Sequence, residues 1–291
     1  MYPSRFNYES PKTIEEAIAL LDREAGEAKV LAGGQSLVPM MKLRFASPAM
    51  LVDINNIPGL RYHRVDPDGT IHIGALCRHE DLEDSVVLAK HQPTLAAASH
   101  LVADPIVRTR GTFVGSVCHA DPQGDWAATM LALGGRIVAQ GPKGKREIEM
   151  KDFVLGPFQN ALASNEIAIE AIIPAPKGVA LGGYLKLERR VGDFATASVA
   201  VALDMVDGRV VRAGIALAGV GGQTIDASDA ASVLVGHDLT EENIRKVAEQ
   251  TAAKAQPRSD HRGSADYKRQ IVRIFVSRIL TGIANSSQKV A

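Results

Sequence analysis

Two glycine-containing stretches hold the residues best suited to chemistry in this 291-residue chain. The first, Ala32-Gly33-Gly34-Gln35-Ser36-Leu37, follows the short apolar run Lys29 to Leu31. Paired glycines let a backbone bend tightly and leave N–H groups pointing outward, and the Ser36 hydroxyl adds a donor, so the loop can cradle an anion. The same pair also suits an ordinary turn between a strand and a helix. The second stretch, Arg110-Gly111-Thr112-Phe113-Val114-Gly115-Ser116, joins small residues and hydroxyls, and His119, Asp121 and Asp125 follow with hydrogen-bonding side chains. Two such loops in one region suit a pyrophosphate flanked by polyhydroxylated chains. A side chain at Gly33 or Gly34 would then occupy the space that the pyrophosphate needs.

Other chemistries find no support. No G-x-x-x-x-G-K-[ST] occurs, and Gly219-Val220-Gly221-Gly222-Gln223-Thr224 lacks the last glycine of the common dinucleotide fingerprint. The eight histidines lack H-E-x-x-H spacing, and two cysteines, Cys77 and Cys118, cannot supply the four thiolates of a zinc or iron–sulfur site. No metal site is assigned, and any iron–sulfur chemistry must sit on another chain. The pairs Glu15/Glu16 and Glu241/Glu242 fall in the first turns of predicted helices, where the macrodipole accounts for them, so no catalytic acid or base is assigned. With 33 basic and 33 acidic residues and only 4% aromatics, neither nucleic-acid binding nor capture by an anionic surface is expected.

The elements that position these loops follow from periodicity. Thr13-Ile14-Glu15-Glu16 has capping-box spacing and opens a helix. Lys29–Leu31 and Met50–Ile54 read as buried strands around the first loop, with a short helical turn over Val38 to Leu43. Thr70–Ala75 alternates as a half-buried strand, and Glu80–Leu88 and Leu95–Val102 read as helices. From Arg108 to Asp125 the chain reads as a long irregular stretch, and loops of that length usually bind something. A helix over Trp126–Leu133 follows, then strands at Arg136–Gln140, Arg146–Glu149 and Glu166–Ile173. Pro174-Ala175-Pro176-Lys177-Gly178 reads as a domain boundary. Beyond it, Gly183–Arg189, Ala197–Val206 and Val210–Ala218 read as strands, the last two joined at Asp207-Gly208. Helices are expected over Ala227–Val235, Glu241–Ala255 and Ala265–Ile283, which gives an α+β fold class.

With these motifs in place, the sequence resembles the FAD-binding medium subunits of the molybdenum hydroxylases over about Phe6 to Ile283. The resemblance is carried by A-G-G-x-S-L at Ala32–Leu37, by a form of R-x-R-G-T-I-G-G-N at Arg108–Ser116, and by Asp121-Pro122. Lys186, Arg189, Arg190 and Asp193, running into Phe194-Ala195-Thr196-Ala197, extend it and are most like the carbon monoxide dehydrogenase type. The resemblance implies a vanillyl-alcohol-oxidase-like, PCMH-type FAD domain over 1–175, with subdomains of about 1–57 and 58–175. A C-terminal domain of three strands and a helical bundle would cover 179–285. Carried over, Ala32, Gly33, Gly34, Gln35, Ser36 and Leu37 would bind the pyrophosphate, and Gly111, Thr112, Gly115 and Ser116 would close its other side. Asp125 would accept from a ribityl or ribose hydroxyl, with His119 and Asp121 as further contacts. Val102 would pack near the adenine, Lys186 would lie near the flavin, and Phe194 would sit close to the isoalloxazine ring.

The chain departs from the pattern at Val114, where the family has the first glycine of its pair, and at Ser116, where it has Asn. A positive φ at Val114 would strain a β-branched residue, whereas a requirement at Gly115 alone would not. The resemblance further implies an electron-transfer subunit in a dimer of heterotrimers. Substrate would be oxidised at a molybdenum–pterin cofactor on a large subunit, electrons would pass two [2Fe–2S] clusters on a small subunit, and FAD here would hand them to an external acceptor such as a quinone. Neither a leader peptide nor a membrane span is seen, so a cytoplasmic location is expected, free or at the inner face of the membrane. The alternatives are the medium subunit of an aldehyde, xanthine or N-heterocycle dehydrogenase, a free-standing flavoprotein oxidase, or a non-redox module for a phosphorylated ligand.

Overall fold

The computed structural model describes residues 2–288. The first layer is a small parallel sheet in the order β1-β3-β2, with β1 (Asn7–Glu9), β2 (Ala28–Leu31) and β3 (Met50–Asp53). All four residues of the central strand β3 are buried, as a parallel strand covered on both faces requires. Helix α1 (Ile14–Arg23) starts at the Thr13 cap, whose hydroxyl accepts from Glu16 N, and it buries Ala17, Ile18 and Leu21 on the sheet. The first glycine loop leaves the C-terminal end of β2 and enters α2 (Leu37–Lys42).

The second unit is a five-stranded sheet in the order β4-β5-β10-β6-β7. Its strands are β4 (His63–Val65), β5 (Ile71–Gly74), β6 (Arg136–Gly141), β7 (Gly144–Glu149) and β10 (Ile167–Ile173). Helices α3 (His79–Glu83), α4 (Val86–His91), α5 (Pro93–Ser99), α6 (Pro105–Arg108), α7 (Phe113–His119) and α8 (Asp125–Leu133) lie between β5 and β6. A short helix α9 (Met150–Phe153) and the two-stranded β8 (Val154–Gly156) and β9 (Gln159–Asn160) precede β10. Helix α8, DWAATMLAL, is apolar all round and buried on nearly every side, as such a helix must be.

After the Pro174–Gly178 segment comes a four-stranded sheet in the order β11-β12-β13-β14: β11 (Val179–Leu187), β12 (Ala197–Val206), β13 (Arg209–Ala218) and β14 (Ile225–Asp226). Its two faces differ in side-chain size. Val199, Val201, Leu203, Ile215 and Leu217 face the helical bundle made by α11 (Glu241–Lys254) and α12 (Ala265–Gln288), with α10 (Ser228–Ala231) beside it. Ala200, Ala202, Ala216 and Ala218 face α8 and belong to the core of the second unit. Small residues there let α8 lie directly on the sheet, and a Cβ on Gly214 would overlap the Ala132 carbonyl.

Four sequence expectations change. The stretch from Arg108 to Asp125 is not irregular, because Thr112 caps a helix that occupies Phe113–His119. Glu80–Leu88 splits into α3 and α4, since the Ser85 hydroxyl accepts from Leu88 N and starts a new helix. The expected three-stranded C-terminal sheet carries a fourth, two-residue edge strand, and Ala227–Val235 is a single helical turn followed by a 3-10 turn at Ser232–Leu234. None of the described helices is long and apolar enough to cross a membrane.

Candidate functional site

A cavity of about 600 Å³ opens where the first glycine loop meets the start of α7, within the roughly 300–1,000 Å³ that ligand and cofactor sites occupy. Its position follows from two loops held back to back by a polar scaffold. Asn55 donates from Nδ2 to the Ala32 carbonyl at 2.8 Å and accepts at Oδ1 from Arg78 Nη2 at 2.6 Å. Arg78 Nη1 donates in turn to the Arg110 carbonyl. The two side chains thus tie one carbonyl of each loop to a common point. In a planar trans peptide the C=O and N–H point opposite ways, so fixing the Ala32 carbonyl turns the Gly33 N–H away from the scaffold. Nothing in the sequence singled out Asn55 or Arg78.

The loops then diverge in what they offer. Among the described residues, no protein acceptor takes the N–H groups of Gly33, Gly34, Gln35 or Ser36, and the Ser36 hydroxyl makes no capping bond to α2. Gly34 has φ +73°, which a side chain would strain. Gly33 serves a different purpose from the one expected: its Cβ would overlap the Arg110 carbonyl oxygen and fall 2.8 Å from Gly111 Cα, so it permits the two backbones to touch. In the second loop most donors are spent internally. Phe113 N donates to Cys77 O at 3.0 Å, Gly115 N to the Thr112 hydroxyl at 3.2 Å, and Ser116 N to Thr112 O at 3.0 Å. Gly115 is needed because that capping hydroxyl occupies the place of a Cβ. Val114 sits in helical backbone, has no positive φ, and is 2% exposed, so replacing the family glycine leaves no strain.

Behind the second loop, Trp126 Nε1 donates to His79 Nδ1 at 3.0 Å, and Phe113 packs against Trp126 with centroids 4.6 Å apart and rings tilted by 52°. Burial, aided by the Arg108 and Arg78 guanidiniums, lowers the His79 pKa to about 4, so the ring is a neutral acceptor. Gly111 lies against it, with room for no Cβ.

The cavity is long. At one end Gly26 faces Ser164, beside Leu162 and Ile167. From there it follows β2, at about 3.3 Å per residue, to the loop at Gly33. It continues past Val107 to Ala103, against which Gly192 packs, with Phe194 on the same loop. Val102 and Phe194 therefore border one end. They cannot serve the two opposite ring systems of an extended dinucleotide, as the sequence reading expected of them.

Of the other expected residues, Leu37, Gly111, Thr112, Gly115, Ser116, His119 and Asp125 line the cavity with Ala32 to Ser36, whereas Asp121 and Lys186 do not. Asp121 accepts from Gln123 N in a local turn, and His119 packs against the tilted Phe158 ring, centroids 5.1 Å apart. Asp125, the first residue of α8, is buried; Tyr184 donates to its Oδ1 at 2.5 Å and Lys186 Nζ to its Oδ2 at 3.1 Å. Lys186 also donates to Leu101 O at 2.7 Å and pairs with Glu188 at 3.2 Å. The lysine is thus sealed beneath Asp125, as a latch between β11 and the second unit. Burial raises the Asp125 pKa against the opposing pull of Lys186, and burial beside Asp125 raises that of Tyr184. No metal-binding cluster of His, Cys, Asp or Glu is present among the described residues.

Comparisons with known proteins agree with this architecture. Residues 4–176 match the family model described as the FAD binding domain in molybdopterin dehydrogenase, and residues 183–283 match the CO dehydrogenase flavoprotein C-terminal domain. The chain is similar to the carbon monoxide dehydrogenase medium chain of Hydrogenophaga pseudoflava, at 40% identity over 96% of this chain and 97% of that one. It is similar to the nicotine 6-hydroxylase medium subunit of Paenarthrobacter nicotinovorans, at 38% identity over 94% and 95%. A solved carbon monoxide dehydrogenase from Hydrogenophaga pseudoflava superposes with a TM-score of 0.92 at 41% identity, covering 97% of this chain and 98% of that one.

Proposed function

The chain belongs to the FAD-binding medium-subunit family of the molybdopterin dehydrogenases, with FAD as its cofactor, and on that basis we propose an electron-transfer role for it. It receives electrons from [2Fe–2S] clusters on a small partner subunit and passes them to an external acceptor such as a quinone. Substrate oxidation takes place at a molybdenum–pterin cofactor on a large subunit. In a dimer of such heterotrimers this chain confers no substrate preference, because substrate does not enter its cavity. FAD supplies the redox chemistry, while the protein supplies position and electrostatics.

The observation that carries the reading is the open cradle: the N–H groups of Gly33 to Ser36 without a protein acceptor, over a long cavity. Those donors and the Ser36 hydroxyl bind the pyrophosphate. Thr112, Gly115 and Ser116 form the facing wall, with Gly111 against His79 behind it. Asp125, held by Tyr184 and Lys186, keeps lone pairs for a sugar or ribityl hydroxyl. The adenine lies toward Gly26 and Ser164, and the isoalloxazine toward Val102 and Phe194.

A free-standing oxidase would need an acid or base over the flavin. Of the candidates Lys186, Arg189 and Asp193, Lys186 is sealed beneath Asp125, Asp193 is engaged by Phe194 N at 2.8 Å and by Arg262 at 3.5 Å, and Arg189 is exposed and does not line the cavity. None of the three is presented as an acid or base in the cavity, which favours electron transfer over an independent oxidase. Two measurements test the proposal. Purification from the native host should bring down a small Cys-rich chain and a large chain, and the isolated FAD-loaded chain should show no flavin reduction by carbon monoxide, purines or aldehydes. Substrate-dependent reduction of the isolated chain overturns it.

A further inference from the structure

At the Phe194 end, the cavity mouth is bordered by a loop, Glu188 to Thr196, that leaves β11 and returns to β12, with Thr196 N closing it on Leu187 O at 2.8 Å. Its ends are held, by the Glu188–Lys186 pair and by the buried Ala195 and Thr196, but its tip rests on little. Gly192, at φ +81°, packs its backbone on Ala103 and Asp104, while Val191 is 84% exposed and Phe194 48% exposed. An apolar ring half in water does not stay at a cavity mouth through burial alone.

What fixes the tip comes from the segment between α11 and α12. Arg262 Nη1 donates to the Phe194 carbonyl at 2.8 Å, and Nη2 lies 3.5 Å from Asp193 Oδ1, the same oxygen that accepts from Phe194 N. Arg262 is itself placed by a tight turn in which its N donates to Asp260 Oδ1 at 2.8 Å and Asp260 pairs with Gly263. That turn is anchored on α12, where the buried Lys268 donates to Asp260 Oδ2 at 2.7 Å and to Arg258 O at 3.0 Å. A continuous chain of charge-assisted bonds therefore runs from the helical bundle to the backbone of Phe194.

Resting on the flavin reading above, the geometry points to Arg262 as a positioning residue: it clamps the 188–196 loop so that the Phe194 ring stands over the flavin end of the cavity and limits what reaches it. Arg262 touches no cofactor. It acts through the Phe194 peptide and the Asp193 carboxylate.

The loop carries its own reporter, because Arg189 and Arg190 are exposed trypsin sites. In Arg262→Ala, loss of two charge-assisted contacts should speed trypsin cleavage after Arg189 and Arg190 by roughly tenfold. In the FAD-loaded chain, iodide quenching of flavin fluorescence should rise about twofold or more as the ring becomes reachable. Arg262→Lys, which keeps the charge but cannot fork, should fall between parent and Arg262→Ala in both readouts. Phe194→Ala should raise quenching without opening the loop to trypsin. Thermal unfolding of each variant separates a loosened loop from a lost fold, and Arg262→Lys carries the test if Arg262→Ala does not fold. Unchanged cleavage in the arginine variants removes the clamp. Faster cleavage with unchanged quenching removes the shielding role, and so also overturns the proposal. A parent chain that takes up no FAD contradicts the functional reading instead, and the cleavage comparison then still decides whether the clamp exists.

Discussion

The two glycine loops look alike in sequence and do opposite work in the structure. Residues 33–36 leave four successive N–H groups open, whereas residues 111–116 spend four of their six, on Val107, on Cys77, on the Thr112 hydroxyl and on the Thr112 carbonyl. One loop is a donor surface and the other is a wall. The glycines differ accordingly: Gly34 answers to a positive φ, Gly33 to a backbone from the other loop, Gly111 to His79, and Gly115 to a capping hydroxyl. Only the first of these concerns the conformation of a ligand-binding turn. A small-residue motif near a bound group can thus be required by the protein's own packing.

The largest effect that would test this contrast is at the point where the loops touch. Gly33→Val pushes a branched side chain into the Arg110 carbonyl, and we expect it to lose FAD and about 3 kcal/mol of stability together. Thermal unfolding beside flavin absorbance measures both; a variant that lost FAD but unfolded like the parent would show that Gly33 faces the cofactor alone. The wall gives an effect of similar size through pH. His79 titrates at about 4 when folded against 6.5 when unfolded. Between those values the unfolded chain holds the extra proton, so stability falls as pH drops from about 6.5 to about 4, by up to about 3 kcal/mol. His79→Gln, which can still accept from Trp126, should flatten that limb of the stability curve.

The scaffold behind both loops comes next. Asn55→Ala leaves the Ala32 carbonyl and the Arg78 guanidinium short of a partner, and we expect about 2 kcal/mol of destabilisation with weaker FAD binding. Denaturant unfolding and a flavin titration report on it. The smallest effect is predicted at the family's missing glycine. Because Val114 is helical and buried in the wall, Val114→Gly should leave the FAD dissociation constant within about twofold while lowering stability through lost packing and helix propensity. Tighter FAD binding in that variant would mean that the valine obstructs the site.

Much of this was legible in the residues, and what was not has identifiable causes. The Thr13 cap, the Asp207-Gly208 hairpin and the strand over Ala197–Val206 are local signals that the structure reproduces. The helix at Phe113–His119 was hidden because glycine, serine and a β-branched residue depress helix propensity, and its stability comes from burying Phe113, Val114 and Val117 in the central core. Phe194 and Val102 each stand out from the family pattern, but only the packing of Gly192 on Ala103 reveals that they share one end. Asn55, Arg78 and Arg262 act on backbone carbonyls distant in sequence, and no spacing rule reports such partners.

The central claim is that the 32–36 loop holds FAD by its pyrophosphate. Titrating the flavin-free chain with FAD and with riboflavin, each followed by flavin fluorescence, tests it most directly. Several charge-assisted backbone bonds made only by the pyrophosphate predict one FAD per chain, bound at least about 100-fold more tightly than riboflavin. Equal affinities for the two, or no uptake of FAD at all, would contradict it.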